Sequence, residues 1–322
     1  MVDKDSSLKV LTFGGVARPW TPLIEETLNN VDVIHCQNRK TMEERYDGVK
    51  ILFGWNFPDS LFSRLPDLEW IQNLSVGIDA FVNNSDLPRS VKVTNTARLY
   101  GDTIAEYVLW AMITLSRRFH HTVHNQRRRK WAQVFGPTLP GKTVGIAGLG
   151  DVGLRVASTA AALGMKTLGF VRHDQVDQSF DNVEQVVSID SIDSAVGECD
   201  FLVLCLPLTE ETRGIISEKT IGNMGSHAIL INTARAEVAD QAAIVRALKR
   251  GGIAGAALDV FEKEPLRRWD PIWSVENLLV TPHTSSMSSE YKTRVADLIR
   301  ENMIRFVDGR PLINEIDRDR GF

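Results

Sequence analysis

Three residues of complementary chemistry follow three short apolar runs in the second half of the chain. Arg235 ends Ile231-Asn232-Thr233-Ala234-Arg235, Glu264 lies in Asp259-Val260-Phe261-Glu262-Lys263-Glu264-Pro265, and His283 ends Thr281-Pro282-His283. A cation, a carboxylate and an imidazole at one sheet edge suit the reduction of a 2-oxo acid. Arg235 can offer a planar fork to the substrate carboxylate. The carbonyl oxygen gains negative charge as hydride reaches carbon, and it needs a proton. An imidazole, with a free pKa of ~6.5, can give and take one at neutral pH. A carboxylate at Glu264 would favour its charged form. Each residue also has an ordinary reading. A histidine after a strand is commonly structural, and loop arginines and glutamates are commonly solvated. Their joint placement after successive strands is what points to catalysis.

Such chemistry needs a hydride carrier, and Gly148-Leu149-Gly150-Asp151-Val152-Gly153 fits G-x-G-x-x-G. Glycine-rich turns are common, so the hexad alone says little. Here it follows a strand-like run, 143–147, and opens a helical run, 152–163, that closes at Gly164 before a second strand, 166–171. Gly148 permits the tight turn, Gly150 lets backbone approach a pyrophosphate, and Gly153 lets helix and strand pack closely. The helix start offers N–H groups and a positive dipole end to the anion. The alternative is a structural turn with no ligand. An acid that would hold the adenosine ribose belongs at the end of the second strand, but Val171 stands there and Arg172 follows. Losing the carboxylate removes repulsion against a 2′-phosphate, and a guanidinium can pair with it. NADP(H) is favoured over NAD(H), although Arg172 could be solvated and Asp174 could still reach the ribose.

The elements that must hold these groups alternate strand and helix, which implies parallel sheets built from βαβ units. Strands are expected at 8–13, 31–35, 49–53, 70–74 and 91–94, with helices at 22–29 and 59–65. A long helix starts near Thr103, with Ile104, Val108, Ala111, Met112 and Leu115 on one face. Residues 136–141 read as a linker. Further strands are expected at 201–206, 228–232, 253–258 and 277–280, a helix at 240–250 stopped by Gly251, and a last helix at 289–308. At 322 residues, 43% hydrophobic and 24% charged, two globular domains are the natural expectation. The net charge of −4 gives no global field for nucleic acid or anionic membrane. Cys36, Cys199 and Cys205 match no zinc or CxxC spacing. Sparse thiols, a polar start at 1–7 and no apolar run long enough to cross a bilayer lead to the expectation of a cytoplasmic protein.

In order and combination, these motifs resemble the D-isomer-specific 2-hydroxyacid dehydrogenases, which include glyoxylate/hydroxypyruvate reductases. The stretches carrying the resemblance are 141–146 leading into the glycine hexad, Leu206-Pro207-Leu208-Thr209, Asn232-Thr233-Ala234-Arg235, 255–261, Glu264-Pro265-Leu266 and Thr281-Pro282-His283. The resemblance implies catalytic roles for Arg235, Glu264 and His283, and a nicotinamide-carboxamide contact at Asp259. It implies further cofactor contacts at Cys205, Leu206, Pro207, Thr233 and Ala234. Leu74-Ser75-Val76-Gly77-Ile78-Asp79 resembles the family's glycine loop, whose N–H groups at Val76 and Gly77 would hold the substrate carboxylate; Ser75 belongs to the same loop. It implies a Rossmann cofactor domain, 101–288, inserted into a flavodoxin-like substrate domain of 1–100 and 289–322. The helix after Thr103 would then serve as hinge and as part of a homodimer interface.

Some features depart from that pattern or stand outside it. Trp55, after Gly54, occupies a loop where the family varies its substrate pocket. It would favour small side chains or stack on an aromatic one. His120 and His124 are four apart on a helix, but no third ligand is evident, so no metal is expected. Arg127-Arg128-Arg129-Lys130 reads as a solvated helix end or subunit contact, and Trp131 as a pocket residue near a neighbouring subunit. Two other functions fit the same fold: a dehydrogenase of phosphonate or formate, and a dinucleotide-sensing corepressor. Formate chemistry would pair the histidine with glutamine rather than glutamate, and corepressors usually carry long tails.

Overall fold

In a computed structural model, residues 7–28, 30–82 and 84–318 are described. The polar stretch 1–6, residue 29 at the end of the expected first helix and the terminal 319–322 lie outside the described residues. The chain forms two compact units, Met1–Leu99 with Ser288–Phe322 and Tyr100–Met287.

The first unit carries strands β1 (Leu8–Phe13), β2 (Val31–Cys36), β3 (Val49–Gly54), β4 (Trp70–Asn73) and β5 (Lys92–Thr94). They pair in parallel in the order β2-β1-β3-β4-β5, the flavodoxin-like arrangement. Successive strand residues point to opposite faces, so the sheet has two apolar sides. Val10, Ile51, Phe53 and Trp70 meet Ile24 of helix Thr21–Thr27 and Val295, Ile299 and Met303 of helix Tyr291–Val307. Leu11, Leu52 and Ile71 meet Phe57, Phe62 and Phe81 on the other side. Buried Asn302 fixes the last helix: its amide donates to Gln72 Oε1 and to the Ile313 carbonyl and accepts from Ile313 N–H. The indole of Phe306's neighbour Trp70 stacks on that ring at 5.4 Å.

The second unit carries β6 (Thr143–Ala147), β7 (Lys166–Val171), β8 (Gln185–Ser188), β9 (Phe201–Leu204), β10 (Ile229–Asn232), β11 (Gly255–Leu258) and β12 (Leu278–Val280). All pair in parallel, in the order β12-β11-β10-β9-β6-β7-β8. Strand order reverses between β6 and β9, the crevice where doubly wound sheets bind nucleotides. Helix Gln241–Lys249 starts where Asp240 accepts the Ala243 N–H at 2.8 Å.

The elements differ from the sequence expectation at several places, among them the short helices Ile192–Ala195 and Glu218–Asn223. The long helix is two: Gly101–Ser116, then Phe119–Arg127, separated by Arg118 in the left-handed region. His120, His121 and His124 therefore belong to the second helix. Strand β8 was not anticipated, because four residues at a sheet edge, half-buried or exposed, carry little apolar signal. The run 59–65 is a 3-10 helix, Asp59–Arg64, in which Ser63 and Arg64 bond the Ser60 carbonyl. No helix among the described residues is long and apolar enough to cross a membrane.

Candidate active site

Arg235, Glu264 and His283 follow β10, β11 and β12, three adjacent strands, at one sheet edge. The structure brings two of them into contact. His283 Nδ1 lies 2.9 Å from Glu264 Oε2, while Glu264 Oε1 accepts the Phe261 N–H at 2.9 Å. A carboxylate only accepts, so Nδ1 carries the proton and Nε2 is the nitrogen left for substrate. The two side chains are 49% and 37% exposed, so the pair faces solvent and its Coulomb energy is modest. The Glu264–Pro265 peptide is cis.

His283 sits in the left-handed region at φ 55°, unusual for a residue with a β-carbon. Its backbone is held there: the His283 N–H reaches the Asp259 and Thr281 carbonyls at 2.9 and 3.0 Å. Beneath it the fully buried Asp259 carboxylate accepts from Thr281 Oγ1 at 2.6 Å, Thr284 N–H at 2.8 Å and Ser285 N–H at 2.9 Å. Such bonds offset the cost of taking a carboxylate out of water. In the sequence Asp259 stands out only through resemblance to a family, and nothing there signals this brace.

Arg235 is half-buried, and its Nη1 donates to the Ala234 carbonyl at 2.9 Å. Buried Asn232 shapes its loop, accepting Ala234 N–H at 2.9 Å and donating to the Arg235 carbonyl at 3.1 Å. Thr233 Oγ1 donates to the Leu204 carbonyl at 3.2 Å, tying this loop to the end of β9.

The glycine turn fits a dinucleotide. Gly148 has φ 95°, and a Cβ there would lie 2.8 Å from the Cys205 carbonyl oxygen. A Cβ on Gly153 would lie 1.9 Å from the Gly148 oxygen, so helix and turn are in direct contact. Gly150 is different, because a Cβ there would meet nothing within 4 Å. That open volume lies at the start of helix Asp151–Ala162, which no side chain caps. Such a helix start suits a pyrophosphate. Leu149 and Ala234 are buried packing residues, whereas Asp151, Val152, Leu206 and Pro207 keep accessible surface. Cys205, also at this edge, has its thiol pushed up to about 12 by burial. Past β7, Arg172 pairs with Asp174 at 3.3 Å in an exposed turn.

Within the first unit, Asn73 donates to the Ser75 and Gly77 carbonyls at 3.0 and 2.7 Å, and Asn95 to the Val76 carbonyl at 3.0 Å. These bonds turn the carbonyls of the 75–77 loop inward. The Gly77 N–H meets Ser75 Oγ at a long 3.3 Å. Trp55, beyond β3, is half exposed.

A doubly wound sheet with this glycine turn, together with a histidine–carboxylate pair at its carboxyl edge, defines a nicotinamide-dependent oxidoreductase. The sequence profile of the D-isomer specific 2-hydroxyacid dehydrogenase NAD-binding domain matches residues 109–285. The chain is 34% identical to a glyoxylate reductase of Korarchaeum cryptofilum over 267 residues, covering 80% of this chain and 79% of the other. It is 31% identical to a glyoxylate reductase of Thermofilum pendens over 302 residues, covering 91% and 84%. A D-isomer specific 2-hydroxyacid dehydrogenase of Xanthobacter autotrophicus, solved with NADPH and MES, superposes with a TM-score of 0.85 at 31% identity, covering 98% of this chain and 100% of the other. An NADPH-dependent glyoxylate/hydroxypyruvate reductase of Sinorhizobium meliloti, solved with NADP and sulfate, has a TM-score of 0.85 at 26% identity, with 98% and 100% covered. The chain belongs to the D-isomer specific 2-hydroxyacid dehydrogenase family and is an oxidoreductase acting with NAD(P).

Proposed function

We propose that this protein reduces a small 2-oxo acid, glyoxylate, hydroxypyruvate or a longer homologue, with NADPH preferred and His283 as the proton donor. The observation that carries the reading is the 2.9 Å His283–Glu264 contact on a turn braced by Asp259. When bound, the dinucleotide supplies hydride to the carbonyl carbon. The Arg235 guanidinium grips the substrate carboxylate. The imidazolium of His283 gives its Nε2 proton to the carbonyl oxygen as charge develops there, which completes the alcohol. Nδ1 keeps its proton, donated in a hydrogen bond to Glu264 Oε2, so the ring is left neutral and solvent reprotonates Nε2. Microscopic reversibility makes the same nitrogen the base in the oxidation direction.

The remaining assignments belong to the same proposal. Val76 and Gly77 N–H groups and Ser75 serve the substrate, and Trp55 limits its size. Gly148, Gly150, Asp151, Val152, Cys205, Leu206, Pro207 and Thr233 serve the cofactor directly, and the buried Leu149, Ala234 and Asp259 serve it by shaping its site. Residues 1–100 with 289–322 act as the substrate domain, and 101–288 as the cofactor domain. Arg172 is the selector for the 2′-phosphate. Its pairing with Asp174 is exposed, worth about 1 kcal/mol or less, so a phosphate can draw it away. The NADP(H) found in the solved relatives supports this preference. Exposed Trp110, Phe119, Val123 and Trp131 support a homodimer, and three free thiols support a cytoplasmic location.

The test follows NADPH and NADH absorbance with glyoxylate, hydroxypyruvate, 2-oxobutyrate and phenylpyruvate, for wild type, His283→Ala and Arg172→Ala. Turnover with the smaller acids, lost in His283→Ala, is expected. Absence of turnover with every acid would sink the substrate class, and equal rates in His283→Ala would sink the proton donor. A wild-type preference for NADH, or an unchanged NADPH KM in Arg172→Ala, would refute the role of Arg172.

A further inference from the structure

The Tyr107 hydroxyl lies 2.8 Å from Thr281 Oγ1 although 174 residues separate them in sequence. Thr281 Oγ1 lies in turn 2.6 Å from Asp259 Oδ1. A threonine hydroxyl has one proton and a carboxylate has none to give, so Thr281 must donate to Asp259. It can then only accept from Tyr107, which fixes the direction of the chain: Tyr107 O–H to Thr281 O–H to Asp259. The carboxylate at its end also receives the Thr284 and Ser285 amides, the two residues after His283. We infer that Tyr107 is a positioning residue for the reaction, holding His283 in its left-handed conformation through Thr281 and Asp259. This inference rests on the proposal that His283 is the proton donor.

Several observations support the relay. Tyr107 rises from helix Gly101–Ser116, whose Ile104, Val108 and Ala111 are buried, so its ring stands on a fixed base. Burial raises its hydroxyl pKa well above the usual tyrosine value, and the Asp259 charge adds to the rise, so Tyr107 keeps the proton it must donate. Asp259 has no surface of its own, so any slack in its position passes to the turn it braces. In such chains each bond polarises the next, and loss of one link weakens the others.

The test uses the whole protein in five forms: wild type, Tyr107→Phe, Thr281→Val, Thr281→Ser and the Tyr107→Phe/Thr281→Val double variant. Tyr107→Phe removes one neutral hydrogen bond, so kcat for glyoxylate with NADPH is expected to fall about threefold. Thr281→Val severs both links and should cost kcat about tenfold. The KM for NADPH should change less than kcat in each, because Asp259 is the only link assigned to the cofactor and it keeps its Thr284 and Ser285 amide bonds. Thr281→Ser restores the hydroxyl and the rate. The double variant is no slower than Thr281→Val alone, since both changes break one chain. A merely structural role would instead lower stability and give losses that multiply. Hydrogen exchange of the Thr284 and Ser285 amides gives a second reading that needs no turnover. It should quicken in Tyr107→Phe and more so in Thr281→Val. Multiplying losses in the double variant, or wild-type kcat and exchange in Tyr107→Phe, would overturn the relay. Full activity in His283→Ala would strike the histidine's role instead, and the exchange rates would still decide whether the relay holds the turn.

Discussion

Replacing Gly150 by alanine separates the phosphate cradle from the fold beneath it. Gly150 has φ −77° and ψ −163°, a conformation alanine adopts without strain. The new methyl would meet nothing within 4 Å. Two small effects on stability oppose each other. Alanine restricts the unfolded chain, a gain of about 0.4–1 kcal/mol, and it is a poorer N-cap than glycine by a similar amount. The net change should stay within about 1 kcal/mol, or roughly 2–4 °C in Tm. Binding is affected far more. The methyl would occupy the space through which a pyrophosphate approaches the backbone N–H groups. Loss of one charge-assisted bond is worth about 1.5–3 kcal/mol, so the Kd for NADPH should rise about 10- to 150-fold. Thermal melts of the ligand-free protein and calorimetric titration with NADPH measure both quantities. A Kd within about twofold of wild type would show that the pyrophosphate does not use this surface. A drop of ten degrees or so in Tm would show that Gly150 is a packing residue after all.

The neighbouring glycine should behave oppositely. Gly153→Ala drives a methyl to 1.9 Å from the Gly148 oxygen, so urea unfolding should reveal a loss of about 3 kcal/mol or more; unchanged stability would refute the close packing. Burial holds the His120 pKa below its ordinary 6.5, with His121 adding to the effect, so the folded state prefers the neutral ring. Its contribution to stability is complete above 6.5 and is lost as pH falls through that value toward the depressed one. His120→Asn should therefore flatten the dependence of Tm on pH on the acid side, and parallel curves for the two proteins would contradict this. Cys199 and Cys205 have thiols pushed up to about 12 by burial, so neither should react with iodoacetamide in the folded protein at neutral pH. Mass spectrometry of the native protein showing rapid labelling at either site would count against it.

Much of the cofactor unit was legible because its determinants are local. The strand 143–147, the glycine hexad and the strand 166–171 are contiguous, and Gly148 and Gly153 have a steric reason within the fold itself. The strand-end rule located Arg235, Glu264 and His283, because a residue just past a parallel strand must lie at the carboxyl edge. The brace under His283 was not legible. It joins Tyr107, Asp259, Thr281, Thr284 and Ser285, whose separations in sequence follow no period, and Tyr107 reads as one more residue on an amphipathic helix. Asn232 escaped for a similar reason, since its part is to hold a loop rather than to react. The division of the long helix turned on the backbone of Arg118 alone, at φ 55°, where arginine gives no local warning.

The discontinuity of the first unit has a consequence for synthesis. Val10, Ile51, Phe53 and Trp70 are covered by helix Tyr291–Val307, and Asn302 bonds Gln72 across 230 positions. A nascent chain therefore emerges with all five strands long before the helix that shields one face has left the ribosome. Unit Tyr100–Met287, contiguous in sequence, can finish folding in that interval. Until the last helix arrives, the half-covered sheet presents an apolar face that aggregation or a chaperone can find.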